Sequence, residues 1–205
     1  MNDSCKIIVF AKAPLAGFAK TRLARVIGDV AAAALASRML SETVAQAVAA
    51  NVGPVEICCA PDTSHAQFAI EQARYGLELN SQGEGDLGQR MARAFARALQ
   101  THQHVIIIGT DAPDLQAAHL QQAASALATH DAVFAPAHDG GYVMIGLSRA
   151  MPSLFEGVAW STSEVMAQTR EKLTALNASC FELPAFFDID EASDLRHVPA
   201  GWMAA

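Results

Sequence analysis

The sequence predicts one α/β domain with a mixed, mainly parallel sheet, and three observations lead to this prediction. Short apolar runs of strand length alternate with longer segments whose apolar residues recur at helical spacing. The run 105–108 holds four β-branched residues without polar alternation, as in a central strand covered on both faces. A chain of 205 residues also has the size of one domain. We therefore expect residues 1–205 to form a single unit.

The elements alternate along most of the chain. Strands are predicted at 6–12, 54–60, 77–79, 105–108, 132–135, 143–147 and 179–183, and helices at 31–50, 65–74, from 87 onward, 120–127 and 163–176. The strand at 143–147 is different, because only the turn Asp139–Tyr142 precedes it and there is no crossover helix. A connection this short cannot return a strand in parallel, so an antiparallel or mixed edge of the sheet is expected.

Composition limits the classes of partner. The formal net charge of −7 argues against a general nucleic-acid or membrane-surface binder, since those partners select clustered positive charge. No apolar run approaches the ~18 residues of a membrane span, and the first six residues lack the basic region of a signal peptide. A soluble cytoplasmic protein is expected. Cys58 and Cys59 are adjacent and no CxxC pair exists, so the cysteines are interpreted as small buried hydrophobes.

A glycine loop with two cations follows the first strand. Gly17 is followed by Lys20 and Arg22, a pattern in which backbone N–H groups and cations can hold a phosphate. Ala19 stands where a Walker A motif requires glycine, so that magnesium-binding geometry is not specified. A surface turn with solvated cations is the alternative.

A second glycine loop, 83–88, matches GxGxxG and is followed by a helix. The strand before it is weak, and Asp86 would place a carboxylate where a pyrophosphate should bind, so the match to a dinucleotide site is a weak one. The helix that begins at Leu87 has Arg90, Arg93 and Arg97 on its polar side. These arginines are predicted to form a solvated face, with only Arg90 near enough to the loop to contact a ligand.

Acidic residues follow several predicted strands: Asp111, Asp114, Asp139, Asp188 and Asp190. Carboxylates gathered at one crevice repel each other unless a cation joins them, and Mg²⁺ or Mn²⁺ would do so while bridging to phosphate oxygens. The alternative is that Asp114 and Asp188 cap helices or turns, and a cap is the role expected for Asp114. His138 precedes Asp139, but no GxSxG elbow accompanies it, so a hydrolase triad is unsupported.

Several motifs together resemble a known family. They are Phe10–Pro14 with Gly17 and Lys20–Leu23, Gln82–Gly88 with Arg90–Met91, Gly109–Pro113, Asp139–Tyr142, Trp160–Thr162, and Asp188–Asp190 with Asp194–Leu195. The sequence resembles small bacterial proteins that are provisionally classed as glycosyltransferases and are associated with radical-SAM or arsenosugar gene neighbourhoods. These proteins are similar to 2-phospho-lactate guanylyltransferase. The likeness extends over nearly the whole chain.

The resemblance implies the GT-A, or nucleotide-diphospho-sugar transferase, fold, a Rossmann-like three-layer α/β/α sandwich. It implies that Asp111 is the first metal ligand. It also implies a second metal ligand near the end of the chain, which is Asp190 or, as the alternative, Asp188. It places nucleotide base and phosphates on the loop from Ala13 to Arg22. The residues concerned there are Ala13, Pro14, Gly17, Lys20 and Arg22, and the second loop adds Gly85, Asp86 and Arg90 to the nucleotide pocket. The turn Asp139–Tyr142 would face the acceptor, with Trp160–Thr162 as another acceptor contact or a loop anchor.

The function predicted in this way is a metal-dependent transferase that moves a sugar from a nucleotide-sugar to a small acceptor. Asp111, Lys20 and Asp139 are its candidate catalytic residues. One departure weakens the sugar-transfer prediction, since Thr110-Asp111-Ala112 carries a single acid where many glycosyltransferases have Asp-x-Asp. A nucleotidyltransferase that uses an NTP and releases pyrophosphate is the alternative, and a nucleotide-binding module without turnover is the alternative of another class.

Overall fold

A computed structural model describes residues 5–203, which form a seven-stranded sheet with helices on both faces. The strands are β1 (Cys5–Lys12), β2 (Val55–Ala60), β3 (Glu78–Ser81), β4 (His104–Ile108), β5 (Ala132–Pro136), β6 (Tyr142–Leu147) and β7 (Cys180–Glu182). The helices are α1 (Thr21–Ile27), α2 (Asp29–Ala49), α3 (Ala66–Tyr75), α4 (Leu87–Ala98), α5 (Ala117–Ala126) and α6 (Val165–Ala175). Two 3₁₀ helices, Pro152–Phe155 and Ala192–His197, complete the described elements.

The sheet is mixed and mainly parallel, with strand order β3-β2-β1-β4-β6-β5-β7. The strand predicted at 143–147 is antiparallel to its neighbours, as expected, but it does not lie at an edge of the sheet. Strand β6 runs antiparallel to both of its neighbours, β4 and β5, but it lies inside the sheet and not at an edge. The short turn after β5 folds the chain back beside it, and β6 fills the gap between β5 and β4. Strand β7 then pairs with β5 in parallel and forms the edge.

Apolar packing on both faces of the sheet explains the continuous apolar runs of the central strands. On one face Val44 of α2, Phe68 of α3 and Leu120 of α5 join the core, while Phe95 of α4 and Met166 of α6 belong to the core of the other face. The predicted three-layer sandwich is therefore confirmed. Since the parallel strands share one direction, their carboxyl ends open on a single crevice, where α/β sheets of this kind bind ligands.

The adjacent cysteines pack as predicted. Cys58 lies in the core of one face and Cys59 in that of the other, because successive strand residues point to opposite sides. Burial raises the pKa of both thiols to about 12, so they remain protonated at neutral pH. These cysteines are structural.

The arginines of α4 lie on a partly solvated face, as the sequence suggested, but they also make contacts within the protein. Arg97 binds the carboxylate of Glu56, a residue of β2 with no solvent exposure, with one N–H···O distance of 2.9 Å. Arg93 donates to the backbone oxygens of Gln82 and Glu84. The solvated-face prediction missed these contacts because it considered α4 alone, while the side chains reach strand β2 and the loop after β3.

Asp114, for which the sequence predicts a cap of a helix or a turn, does not cap a helix. Helix α5 begins at Ala117, and its N-cap residue is Gln116. Asp114 lies in the exposed turn between β4 and α5, two residues too early to cap the first turn. Within the part of the chain that the structure describes, no helix combines the length and the apolar character needed to cross a bilayer.

Candidate nucleotide-binding cavity

A cavity of about 380 Å³ lies at the carboxyl ends of the strands. Predicted site residues from five separate segments line it: Lys20, Arg90, Asp111, Asp139, Asp188 and Asp190. Their convergence depends on the fold, since the first and last are 170 positions apart in sequence. The fold therefore brings cations and carboxylates from distant segments to one cavity.

Lys20 and Asp111 form the central ion pair of the cavity. The Lys20 ammonium is 2.6 Å from Oδ1 of Asp111 and also donates to the backbone oxygen of Ile189. Its side chain is only 5% exposed, whereas that of Asp111 is 47% exposed. The backbone N–H of Ile189 donates to the backbone oxygen of Asp111 at 2.8 Å, so the last segment is tied to the end of β4. Asp111 thus keeps an accessible carboxylate while Lys20 is held in place.

The pKa of Asp188 reflects the carboxylates around it. The pKa of Asp188 is raised to about 6, first by burial and then by the negative charges of Asp139 and Asp111. This shift indicates that the three acids share one region of the cavity with more negative than positive charge. Asp139 is fixed there by the backbone N–H of Gly141, which donates to Oδ1 at 2.8 Å.

Asp190 differs from Asp188 in its surroundings. Arg22 donates to Oδ2 of Asp190 at 2.9 Å and to Glu191 at 3.3 Å, so the charge of Asp190 already has a partner. Asp188, two positions earlier, makes no ion pair within residues 5–203. The two acids that the sequence left as rivals are therefore distinguished by whether an arginine neutralises them.

Cations line the other side of the cavity. The Arg90 guanidinium donates to Oε1 of Gln82 at 2.9 Å. Gln82 is itself buried, and its Nε2 donates to the backbone oxygens of Ala11 and Cys58. Arg90 is therefore oriented through a glutamine anchored on β1 and β2. Lys12, the exposed last residue of β1, adds a further cation.

Other predicted binding residues lie outside the cavity. These residues are Ala13, Pro14, Gly17, Arg22, Gly85 and Asp86. Ala13 and Pro14 are buried, and Asp86 caps α4 by accepting from the backbone N–H of Gln89 at 2.8 Å. From the first loop only Ala19 and Lys20 line the cavity.

Sequence reasoning missed Lys12 and Gln82 as parts of this site. A usable signal for Lys12 was its place at the end of the first apolar run, facing the same crevice as Asp111. The role of Gln82 depends on its contacts with two other strands, which the local sequence does not show. Tyr142 also lines the cavity, and burial raises its pKa, so its hydroxyl stays protonated.

The donor set suits a hard divalent cation held partly by substrate. Asp111 and Asp188 offer carboxylate oxygens, which Mg²⁺ and Mn²⁺ prefer, and their repulsion would be relieved by a cation. Among residues 5–203 no three His, Cys, Asp or Glu side chains converge in a ready-made metal cage. Magnesium sites that use one or two carboxylates and complete their shell with phosphates and water need no such cage.

The profile of a family described as an uncharacterized protein conserved in bacteria (DUF2064) matches residues 43–162. No curated protein matches the sequence. A provisionally named nucleotide-diphospho-sugar transferase from Desulfovibrio desulfuricans G20 is 28% identical, and the match covers 100% of this chain and 92% of that one with a TM-score of 0.85.

Two more distant structures share the fold. A 4-diphosphocytidyl-2C-methyl-D-erythritol synthase from Anaerococcus prevotii is 8% identical, with a TM-score of 0.65 over 96% of this chain and 97% of that one. The glucosyl-3-phosphoglycerate synthase of Mycobacterium tuberculosis, in complex with Mn²⁺ and UDP, is 10% identical, with a TM-score of 0.59 over 95% and 75%. These likenesses confirm the nucleotide-diphospho-sugar transferase fold.

Proposed function

The chain belongs to the DUF2064 family of uncharacterized bacterial proteins, and we propose that it is a metal-dependent transferase acting on a nucleotide-activated substrate. The observation that carries the proposal is the division of charge within one cavity. Lys12, Lys20 and Arg90 provide cations for a diphosphate, while Asp111 and Asp188 provide carboxylates for a divalent cation. A nucleoside diphosphate with its metal is complementary to both sets.

The lysine and arginine side chains would bind the phosphates. Lys20 is held by its contacts with Asp111 and Ile189, so its ammonium needs little reorganisation when a phosphate oxygen arrives. Arg90 is oriented by Gln82 in the same way. Preorganised cations stabilise negative charge that grows on a diphosphate leaving group, which is the electrostatic contribution this chemistry most needs.

Asp111 and Asp188 are the proposed ligands for Mg²⁺ or Mn²⁺. We prefer Asp188 to Asp190, because Arg22 already neutralises Asp190, whereas Asp188 makes no ion pair within residues 5–203 and the negative charges of Asp139 and Asp111 raise its pKa. When bound, the cation would supply charge neutralisation at the phosphate oxygens. The manganese in the glucosyl-3-phosphoglycerate synthase complex supports a metal of this kind on the same fold.

Sugar transfer to a small acceptor is the reaction we favour, as the resemblance to glycosyltransferases suggests. The acceptor hydroxyl oxygen attacks the anomeric carbon of a nucleotide-sugar, and the bond from that carbon to the diphosphate breaks. Asp139 accepts the hydroxyl proton, and the nucleoside diphosphate leaves. The carboxylate of Asp139 is oriented for this by the Gly141 N–H on Oδ1, and Oδ2 makes no hydrogen bond within residues 5–203.

Nucleotidyl transfer is the second candidate, and the single acid in Thr110-Asp111-Ala112 favours it. In this reaction an acceptor phosphate attacks the α-phosphorus of an NTP, and pyrophosphate leaves. The likeness to 2-phospho-lactate guanylyltransferase belongs to this candidate. The same lysine, arginine and carboxylates would serve it, because both reactions place a diphosphate leaving group between the cations and a metal.

Product analysis separates the candidates. The protein is incubated with a panel of NTPs and nucleotide-sugars, with and without Mg²⁺ or Mn²⁺, and with mixed sugar and sugar-phosphate acceptors. Release of nucleoside diphosphate supports sugar transfer, and release of pyrophosphate supports nucleotidyl transfer. Metal-independent nucleotide binding without turnover would support the binding module and contradict the proposal.

A further inference from the structure

Four residues other than glycine have positive φ in the described part of the chain: Lys20, Asn51, Ser161 and Asn177. The two asparagines follow the ends of α2 and α6, where a left-handed residue commonly ends a helix and asparagine tolerates it. Lys20 and Ser161 are not residues that favour this conformation, and both line the cavity. Strain of this kind tends to persist at functional positions.

The strain at Lys20 is compensated by its ion pair with Asp111, but Ser161 has no such compensation. The Ser161 hydroxyl makes no hydrogen bond with any residue between 5 and 203. Glycine at this position would adopt a φ of 64° without strain. A serine that is strained and has an unused hydroxyl beside a cavity is therefore a candidate for ligand contact.

The loop around Ser161 is held rigidly by its neighbours. The Thr162 hydroxyl donates to the backbone oxygen of Ala159 at 2.7 Å, and Oε1 of Gln168 accepts from the Ala159 N–H at 2.8 Å. Trp160 packs so closely on α4 that a Cβ at Gly88 would lie 2.7 Å from its indole. The position of Ser161 is thus fixed relative to α4.

The same loop contacts the turn that carries Asp139. A Cβ at Gly140 would clash with the backbone oxygen of Ser163, and the backbone oxygen of Gly140 accepts from the N–H of Met166 at 2.8 Å. The segment of Ser161 therefore packs on the turn of Asp139, next to the acidic side of the cavity. Asp139 is not one of the proposed metal ligands, so its carboxylate would repel a phosphate placed beside it, whereas an uncharged hydroxyl group would not be repelled.

We infer that Ser161 is a substrate-contact residue whose hydroxyl binds a hydroxyl group of the sugar joined to the nucleotide diphosphate. This inference rests on the proposed function, and it holds for sugar transfer and for nucleotidyl transfer to a sugar phosphate. The sugar is part of the donor in sugar transfer and part of the product in nucleotidyl transfer. Lys20 and Ser161 would then contact the two halves of one ligand, the diphosphate and the sugar.

The test compares two ligands of the same base by calorimetric titration with Mg²⁺ present. GDP and GDP-mannose, UDP and UDP-glucose, and CDP and CDP-glucose are each titrated into the wild type to find a pair that binds. Ser161→Gly removes the hydroxyl and the strain, while Ser161→Ala removes only the hydroxyl. Asn177→Gly is the matched control, since it also changes a left-handed residue but one remote from the cavity lining.

Both Ser161 variants should bind the nucleotide-sugar about 3- to 10-fold more weakly, the loss expected for one hydrogen bond, with unchanged affinity for the nucleoside diphosphate. Ser161→Gly should also raise the melting temperature, and Ser161→Ala should not. Unchanged affinity for the nucleotide-sugar, or an equal loss for both ligands, overturns the inference. If the wild type binds none of the ligands, the proposed function is wrong and the inference falls with it.

Discussion

Two charged regions lie at opposite ends of the same parallel strands. Near the amino ends, Lys6, Glu56, Glu78 and Arg97 form what we call the closed network, and near the carboxyl ends Lys20, Asp111, Asp139 and Asp188 form the open cluster. The closed network has two cations and two anions. The open cluster has one cation and three acids, so its charges do not balance.

The pKa values show the difference. Burial alone would raise the pKa of Glu56, but hydrogen bonds from Arg97 and Lys6 lower it overall. Burial also raises the pKa of Asp188, and there the neighbouring acids raise it further. Matched charge inside the protein cannot lose one partner without leaving a buried charge uncompensated, which destabilises the fold, whereas unmatched charge at an opening is available to a ligand. The following substitutions test this distinction, beginning with the largest expected effect.

Replacing Glu56 by glutamine should reduce the free energy of unfolding by about 3 to 5 kcal/mol, because two cations would lose a buried partner. Lys6 is 2.8 Å from Glu56, and its side chain is only 7% exposed. Urea denaturation measures the loss, and Glu84→Gln on the exposed loop is the control. A loss below about 1 kcal/mol would show that the closed network does not stabilise the fold.

In the open cluster, Asp111→Asn should leave the fold intact and weaken metal-dependent nucleotide binding on the order of 100-fold, since the metal loses one of two carboxylates. The amide oxygen can still accept from Lys20. Titration of a nucleoside diphosphate with and without Mn²⁺ measures the effect. Asp114→Asn, an exposed acid three positions away and outside the cavity lining, is the matched control. Equal metal dependence in all three proteins would exclude Asp111 as a ligand.

Lys20→Ala should weaken the binding of nucleoside diphosphates by about 10-fold or more and leave the binding of nucleosides nearly unchanged. The reason is that the ammonium is expected to contact only the phosphates. Parallel titrations of a nucleoside and its diphosphate provide the comparison. A similar loss for both ligands would mean that the substitution damaged the cavity and would remove the phosphate role.

The smallest expected effect is a pH-dependent gain in stability from Asp188→Asn. Because the carboxyl has a pKa of about 6 in the folded protein and an ordinary value of 3.8, the folded state holds its proton more tightly. The stability of the wild type therefore falls as the pH rises from about 4 to about 6. Without metal, the free energy of unfolding of the variant should exceed that of the wild type by about 1 to 2 kcal/mol at pH 7.5. This gain is smaller than the pKa shift of Asp188 implies, because Asp188 contacts water. At pH 4 no gain is expected.

Thermal unfolding at both pH values measures this effect. Asp62→Asn is the control, since its exposed carboxyl has a lowered pKa and should show no gain at pH 7.5. A gain for Asp188→Asn that is the same at pH 4 and pH 7.5 would show that packing, and not charge, is responsible.

The fold could be predicted from local sequence, while the position of β6 could not. The apolar runs of β1, β4 and β5 identify buried strands, and the short turn Asp139–Tyr142 identifies an antiparallel neighbour. Whether that neighbour lies at an edge depends on which strand pairs with its far side. That partner, β4, is more than thirty positions earlier in the chain.

The location of the candidate site could be predicted from the sequence, while the roles of individual acids could not. Acids at strand ends identify the crevice, because every parallel strand ends there. The sequence could not separate Asp188 from Asp190, since the difference depends on Arg22 from a distant segment. The sequence also contains one indication of the closed network, namely Glu56 inside the otherwise apolar run of β2. A buried acid requires cations, and Arg97 is one of them.

The contact between Gly88 and Trp160 limits the dimensions of the cavity. Helix α4, which carries Arg90, approaches the indole and the Phe155 backbone oxygen to a distance that leaves no space for one methyl group. An alanine at position 88 would push the helix outward and move Arg90 with it, away from the rest of the cavity lining. The position of Arg90 in the cavity, and with it the length of ligand that can reach from Arg90 to the opposite side, therefore depends on the absence of a side chain at Gly88.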